Sequence, residues 1–151
     1  MAYSIDFRAK GAELCFTDFV SGDELFTGKA EVFGHAFDGG ARYILCDFTE
    51  ALKFDIPTSA VDRMVEQDKG ELSRHPHLLE VVIAPQNLVY GLARMWQAKV
   101  NTVRPHTAVL RNREEAVAWL KAAGIDPATE HCVPPATRAG KTASPSAKER
   151  V

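Results

Sequence analysis

Apolar and polar positions divide the chain into short strand-like runs that alternate with helical stripes. Residues 3–8 and 13–20 alternate with period two, as half-buried strands do. Lys10 and Gly11 lie between these runs and form a hairpin signal, so we expect the first two strands to pair antiparallel.

The first helix is predicted by a capping pattern followed by helical spacing. Ser21 and Glu24 have the S-x-x-E form in which a side chain and the backbone satisfy each other at a helix start. A helix over about residues 22–37 follows, ended by Gly39 and Gly40. Its predicted inward positions are Phe26, Ala30, Phe33 and Phe37.

A third strand and a second helix follow. Residues 42–48 have the apolar centre of an interior strand, and residues 49–57 are expected to form a loop. Thr58 or Ser59 would cap the helix, because either hydroxyl can accept from a free backbone amide. Asp68 interrupts the apolar stripe, so we place it at the rim of the core. The stripe consists of Val61, Met64, Val65 and Leu72.

The central unit of the chain, residues 81–96, reads as a strand, a turn and a helix. Its strand spans residues 79–84 and ends at Pro85, and Asn87 is a good N-cap for the helix. The predicted apolar face of this helix comprises Leu88, Val89, Leu92, Ala93, Met95 and Trp96.

Gly91 stands inside this helix, where glycine costs roughly 1 kcal/mol relative to alanine. One interpretation is that the helix packs closely on the sheet at this point. The other is that Gly91 borders a binding surface together with Tyr90 and Arg94.

The last unit is a strand over residues 106–111 and a helix whose start carries Asn112 and Glu115 in a capping pattern. Gly124 is expected to end this helix. Its predicted inward stripe is Ala116, Trp119, Leu120 and Ala123.

The element order β-β-α-β-α-β-α-β-α predicts an α/β fold. We expect a five-stranded, mostly parallel mixed sheet with right-handed crossovers and one antiparallel strand at the start. The length of 151 residues and the apolar content of 46% suit one domain, which we place at residues 1–125. Residues 126–151 contain proline, serine and lysine with little to bury and are predicted to form a flexible tail.

Charge and targeting signals narrow the classes of partner. The formal net charge of -2 arises from 18 basic and 20 acidic residues without long blocks, so we expect no nucleic-acid partner. No apolar run reaches the roughly 20 residues that span a bilayer, and the N-terminus lacks the apolar segment of a signal peptide. We therefore expect a cytoplasmic protein without an integral membrane segment.

The sequence contains few residues in patterns that favour catalysis, disulfide bonding or metal binding. Cys15, Cys46 and Cys132 are odd in number and widely spaced, which supports neither a disulfide framework nor a zinc site. We find no nucleophile elbow, phosphate-binding glycine loop or paired carboxylates, so we expect no catalytic residue, metal or cofactor. The alternative of an enzyme depends on Cys46, beside Asp47, acting as a thiol nucleophile.

Asp47 stands at the end of the third predicted strand. Open α/β sheets bind ligands at that edge, and a carboxylate there can also simply accept from nearby loop amides. Both roles stay open.

Three segments carry a family resemblance: residues 44–56 (ILCDFTEALKFDI), 80–96 (EVVIAPQNLVYGLARMW) and 107–120 (TAVLRNREEAVAWL). Together they resemble the bacterial SpoIIAA-like members of the STAS superfamily, which are related in fold to CRAL-TRIO lipid-binding domains. The resemblance covers roughly residues 5–122. It implies a superhelix of strand and helix units, with neighbouring strands adjacent in the sheet and helices mainly on one face.

The resemblance also implies a function. Regulators of this type are binding modules switched by phosphorylation of a serine at the start of the helix after the third strand, where Thr58 and Ser59 stand here. These two residues are therefore candidate phosphorylation sites. A phosphate at a helix N-terminus would meet free backbone amides.

We thus expect a non-catalytic module that binds a protein or an apolar small molecule such as a lipid, and a homodimer formed through an uncovered sheet face. One alternative is a phosphorylation-switched regulator of a kinase or sigma-factor partner. The predicted binding surface consists of Asp47, Thr58, Ser59, Asn87, Tyr90, Gly91 and Arg94.

Overall fold

The computed structural model describes residues 3–35, 41–101 and 106–127, and within them the elements follow in the predicted order. The strands are β1 (Tyr3–Phe7), β2 (Gly11–Ser21), β3 (Tyr43–Asp55), β4 (Leu79–Ile83) and β5 (Thr107–Leu110). The helices are α1 (Gly22–His35), α2 (Thr58–Arg74), α3 (Asn87–Val100) and α4 (Arg113–Ala122). Phe37, the glycines at 39 and 40, Cys132 and nearly all of the predicted tail lie outside the described residues.

The sheet has the order β1-β2-β3-β4-β5. β1 pairs antiparallel with β2, and the other neighbours pair in parallel, which confirms the predicted fold class. Right-handed crossovers that always advance in one direction place their helices on the same side of a sheet. Accordingly α1, α2 and α3 cover one face, the helix face, while α4 covers part of the other, the back face.

Each face of the sheet carries its own apolar core, because successive strand residues point to opposite sides. Leu14, Ile44 and Val82 point into the larger core under the three helices. Tyr43 and Val81 point into the smaller core under α4. The expectation of helices mainly on one face is therefore confirmed, with α4 as the exception.

β3 is longer than predicted. Residues 49–57 were expected to be a loop, but the strand continues to Asp55 beside the second half of β2. Ala51 is 2% exposed and Phe54 packs against the larger core, so this extension keeps its inward face. The side chain of Gln86 also donates from Nε2 to the carbonyl oxygens of Phe48 and Ala51, at 3.0 and 2.8 Å.

The buried face of α1 differs from the predicted one. Ala30 is exposed, and Phe26 and Phe33 are only half-buried. Gly28 and Lys29 are buried instead, together with Val32. The absence of a side chain at position 28 lets the helix backbone approach Leu14, since a Cβ there would lie 3.3 Å from Leu14 Cδ1.

Three further side chains do not have the burial that the apolar stripes predicted. Asp68 was assigned to the rim of α2 but is fully buried, although the predicted apolar stripe of that helix is confirmed. Leu88 was assigned to the inner face of α3 but is 59% exposed. Ala123 follows the end of α4 and is exposed.

Two of the predicted helix caps are confirmed. Glu24 N donates to Ser21 Oγ at 3.2 Å while Ser21 N donates to Glu24 Oε1 at 3.3 Å, which is the reciprocal capping box. Asn112 Oδ1 accepts from Glu115 N at 2.9 Å. After α4, Gly124 has φ of 86°, the left-handed conformation expected where a helix ends at glycine.

The two other caps were predicted wrongly. The N-cap of α2 is Pro57 and that of α3 is Gln86, and neither helix start has a side-chain cap. Thr58 is the first residue inside α2, so its hydroxyl is past the capping position. Asn87 is the first residue inside α3, and its Oδ1 accepts from Arg111 instead.

The surroundings of Gly11 are crowded, whereas those of Gly91 are open. A Cβ at Gly11 would lie 2.5 Å from both ring carbons and the carbonyl oxygen of Tyr43, so the strand pair requires glycine there. A Cβ at Gly91 would meet no atom of the described residues within 4 Å. The interpretation of Gly91 as a close helix-to-sheet contact is therefore wrong.

These two glycines give opposite expectations for substitution by alanine. Gly11→Ala should lower the free energy of unfolding by about 1–3 kcal/mol, because the Tyr43 backbone must move. Gly91→Ala should raise it by about 0.5–1 kcal/mol, because alanine orders an unhindered helix interior. Urea denaturation of both variants and the wild type measures the two changes. A stability loss in Gly91→Ala would contradict the open surroundings of that position.

Candidate functional site

A charged group is buried under the three helices. Lys29 Nζ donates to Asp68 Oδ2 at 2.9 Å and to Glu80 Oε2, and Trp96 Nε1 donates to the same Asp68 oxygen at 2.7 Å. All four residues are at most 6% exposed. We call Lys29, Asp68, Glu80 and Trp96 the ionic cluster. It joins α1, α2, β4 and α3 at one point.

The ionic cluster contains two carboxyl groups, Asp68 and Glu80, but only one cation, Lys29. Burial lowers the pKa of Lys29, but the charges of Asp68 and Glu80 outweigh burial and raise it overall, so the ammonium stays protonated. Burial and the nearby Asp68 charge raise the pKa of Glu80 to about 7, against the opposing effect of Lys29. Burial also raises the pKa of Asp68. Two carboxyl groups thus share one cation, and Glu80 titrates near neutral pH.

The carboxylates are also incompletely hydrogen-bonded. Asp68 Oδ1 and Glu80 Oε1 are buried and have no hydrogen-bond partner among the described residues. Leaving a buried polar atom unpaired costs about 1–3 kcal/mol. The unpaired oxygens are therefore a cost in stability that the hydrogen bonds of the ionic cluster offset in part.

Next to the ionic cluster a pocket opens between α1, α2, α3 and the sheet. Most of its wall is buried apolar side chain, and its volume open to water-sized molecules is about 50 Å³. Leu25, Ile56 and Leu92 are its half-buried residues and mark the mouth. Lys29, Cys46 and Trp96 lie deeper in the wall. We call it the helix pocket.

A second polar group is exposed at the start of α3. Arg111 stacks on the ring of Tyr90, with Cζ 3.7 Å from the ring centroid, and donates to Pro85 O at 3.1 Å and Asn87 Oδ1 at 2.9 Å. Arg94 Nη1 donates to Tyr90 Oη at 3.2 Å. We call Tyr90, Arg94 and Arg111 the arginine–tyrosine platform.

The structure brings some of the predicted site residues together and separates others. Asn87, Tyr90, Gly91 and Arg94 share one end of α3. Thr58 and Ser59 are exposed at the start of α2, and within the described ranges no hydrogen bond or ion pair connects them to the platform.

Asp47 faces the other side of the sheet. Its Oδ1 accepts from Thr49 N at 2.9 Å, and its Oδ2 lies 3.9 Å from Arg113 Nη1 of α4. Arg113 in turn donates to the buried Glu13 at 2.9 Å. Asp47 thus accepts from a nearby backbone amide, but this amide lies within β3 and not in a loop, because the strand continues past Asp47 to Asp55. Asp47 does not join Thr58 or Asn87 in one site.

Cys46 is unsuited to nucleophilic chemistry. Its side chain is 3% exposed, and burial raises the pKa of the thiol to about 12, so it stays protonated at neutral pH. Residues 3–35, 41–101 and 106–127 contain no group of three His, Cys, Asp or Glu arranged to hold a metal ion. In those same ranges no helix has the length and apolar character needed to cross a membrane.

Four of the residues that shape these sites were missed in the sequence. Lys29 stands four residues after Leu25 and three before Val32, so helical spacing could have placed it inward. Asp68 lies within an apolar stripe and Glu80 within an apolar strand, and either interruption could have indicated a buried charge. Arg111 left no comparable signal, because it reaches Tyr90 from another element.

The raised pKa of Glu80 gives the protein a pH-dependent stability. Folded protein keeps this proton between about pH 4.5 and 7, where the unfolded chain has lost it. The folded state then binds more protons, so the free energy of unfolding should fall as pH rises through this range. Glu80→Gln should reduce that slope, as measured by urea denaturation at pH 5 and 7.5. The exposed Glu50→Gln should keep the wild-type slope, and equal slopes in both variants would contradict the assignment.

Removing the cation should be more damaging than removing a surface lysine. Lys29→Met leaves two buried carboxylates without their partner and should cost about 3–5 kcal/mol of unfolding free energy. The matched control is Lys99→Met. Lys99 Nζ lies 2.7 Å from Oδ1 of Asp62, whose side chain is 61% exposed. That change should cost about 0–1 kcal/mol. Thermal and urea unfolding of both variants compare the two losses.

Comparison with known proteins finds a similar structure but no match by sequence. No protein-family model matches the chain, and no curated protein matches it in sequence. Among solved structures, the chain is similar to the anti-sigma factor antagonist SpoIIAA in its unphosphorylated form, with a TM-score of 0.52 and 16% sequence identity. The match covers 82% of this chain and 100% of that one. The chain has a SpoIIAA-like fold, as the sequence resemblance predicted.

Proposed function

We propose that the protein is a non-catalytic module that binds an acidic surface of a protein partner through the arginine–tyrosine platform. The observation that carries this proposal is the stack of Arg111 on Tyr90 beside Arg94. Arg94 and Arg111 are exposed, and neither guanidinium has a carboxylate partner among the described residues. Two cations are thus available to an incoming anionic group.

The platform is held in place before any partner arrives. Arg111 is fixed by Pro85 O, Asn87 Oδ1 and the Tyr90 ring, so its side chain loses little freedom on binding. Interfaces gain affinity from such pre-organised groups, and tyrosine and arginine are enriched among their strongest contacts. This rigidity favours specific recognition over loose charge attraction.

The surroundings of the platform also suit a protein interface. Leu88 is 59% exposed on the same first turn of α3, and Gly91 adds no side chain beside Tyr90. Because Leu88 stands two residues before Tyr90, it points to another side of α3 and would add an apolar contact only at the edge of such an interface. Carboxylates of the partner would form charge-assisted hydrogen bonds with the two guanidiniums.

The fold supports the same class of function. SpoIIAA is an anti-sigma factor antagonist, so a domain of this architecture can act on another protein. The protonated, buried Cys46 gives no support to the enzyme alternative. Self-association remains a prediction of the sequence.

Substitution within the platform tests the proposal. Arg111→Ala should remove the stack and reduce partner capture about thirtyfold or more, since losing an anchor of this kind costs about 2 kcal/mol or more. Tagged wild type and variant are compared in pull-downs from the source cells, with captured proteins quantified by mass spectrometry. Capture should also weaken as salt is raised.

The matched control is Arg74→Ala, an exposed arginine at the far end of α2. Proteins that depend on Arg111 but not on Arg74 are the expected partners. Partners retained equally by both variants would rule out the platform as the interface, provided that both variants unfold at the wild-type temperature.

A second candidate is a phosphorylation-switched regulator of a kinase or sigma-factor partner. Thr58 and Ser59 are exposed in the first turn of α2, which has neither a side-chain cap nor an acidic residue. Its free amides favour an added phosphate. Intact mass of protein purified from its own host should show one added phosphate that is lost in a Thr58→Ala, Ser59→Ala double variant. Unmodified mass under all growth conditions would contradict this candidate.

A further inference from the structure

Large apolar side chains are exposed at two places on the part of the chain that the structure describes. Leu88 is 59% exposed at the edge of the arginine–tyrosine platform. Phe19 and Leu52 are 50% and 75% exposed on the second halves of β2 and β3. A single exposed apolar residue needs no explanation, but two on neighbouring strands form a patch.

Phe19 and Leu52 lie beside each other. Leu52 is an extra residue of β3 next to Asp18 and Phe19 of β2, where the register between the two strands shifts. Val20 and Ala51 point into the larger core, so their neighbours Phe19 and Leu52 point to the back face of the sheet. The core under α4 includes neither of them. This apolar pair is therefore open to solvent.

Acidic side chains surround the apolar pair. Asp18, Glu50 and Asp55 are exposed on the same strand halves, and Lys53 is the one cation there, which leaves a net charge of -2. None of the three carboxylates forms an ion pair with another described residue. We call this surface the acidic patch, and it consists of Asp18, Phe19, Glu50, Leu52 and Asp55.

The acidic patch and the arginine–tyrosine platform are complementary. The platform carries two guanidiniums and has one exposed apolar side chain, Leu88, at its edge. The acidic patch carries an excess of carboxylates and two exposed apolar side chains. Opposite charge beside matching apolar contact is the combination that steers two protein surfaces together and fixes their register.

The two surfaces do not neutralise each other within one molecule. Asp47 is level with Leu110 across the sheet, and β3 and β5 lead from there to Glu50 and Arg111, so both surfaces lie at one edge. β4 keeps β3 and β5 roughly 10 Å apart. No ion pair among the described residues joins the platform to the acidic patch. These charges are therefore available to another molecule.

We infer that the protein partner of the platform is a second copy of this chain, which binds through its acidic patch. This inference rests on the function proposed above, because it names the partner of the same site. Since both surfaces lie at one edge of the sheet, a two-fold arrangement makes the contact twice, each platform on the acidic patch of the other copy. Closed two-fold pairs of this kind are the commonest oligomers of soluble proteins.

Charge reversal on each surface tests the inference. Glu50→Lys with Asp55→Lys turns the excess of carboxylates in the acidic patch into an equal excess of ammonium groups. Arg94→Glu with Arg111→Glu turns the two cations of the platform into two anions. Each double variant alone brings like charges together at both contacts, so its self-association should be about tenfold or more weaker than that of the wild type. Sedimentation equilibrium over a series of protein concentrations measures the dissociation constants.

Mixing the two double variants gives the sharpest result. Opposite charges then meet at both contacts, so an equimolar mixture should associate about as strongly as the wild type although neither variant associates alone. The matched control is Glu66→Lys with Glu114→Lys, which makes the same charge change at exposed positions outside both surfaces and should associate as the wild type does. If the platform double variant does not fold, Arg94→Glu alone takes its place, with a smaller loss and a partial recovery on mixing.

Three results would overturn the inference: a wild type that stays monomeric at every concentration, a dimer that both double variants retain, or a mixture that does not associate. A monomeric wild type whose captured partners still depend on Arg111 would overturn self-association alone. Capture and self-association that are both unaffected by Arg111→Ala would overturn the platform itself. The two failures can therefore be told apart.

Discussion

The arrangement of the helix layer depends on one ammonium group. Lys29 lies between two buried carboxylates, and its contacts reach α2 and β4 while Trp96 adds α3. Removing one partner from such a group is strongly destabilising, because an uncompensated buried charge is left behind. We therefore expect the positions of three helices on the sheet, and with them the shape of the helix pocket, to depend on the ionic cluster.

α3 links the buried and exposed parts of the molecule. Its inner side supplies Trp96 to the ionic cluster and Ala93 to the pocket wall, while its first turns present Tyr90 and Arg94 to solvent. A rigid helix keeps such groups in fixed positions more reliably than a loop does. A partner on the outer surface would therefore act on the same helix whose inner side lines the helix pocket.

The sequence was sufficient to predict the order of the strands and helices, but it did not predict which residues form the ionic cluster and the arginine–tyrosine platform. Periodicity located the strands and helices of the described residues, although α1 buries a different face from the predicted one. The capping patterns at Ser21 and Asn112 were local enough to recognise. The second half of β3 was missed because it is stabilised by the matching length of β2. Helical spacing could have placed Lys29 inward, but its partners stand 39 and 51 residues away, so no local pattern identifies them. The same holds for Arg111, whose stacking partner belongs to another element.

The long separation of these partners in sequence bears on the order of assembly. During synthesis from the N-terminus, Lys29 emerges well before Asp68 and Glu80. Until α2, β4 and α3 are present, Lys29 lacks both its carboxylate partners and the residues that cover its ammonium. Burying that charge without its partners would cost several kcal/mol. We therefore expect the helix layer to close in one late cooperative step, although each strand pairs with its neighbour in sequence.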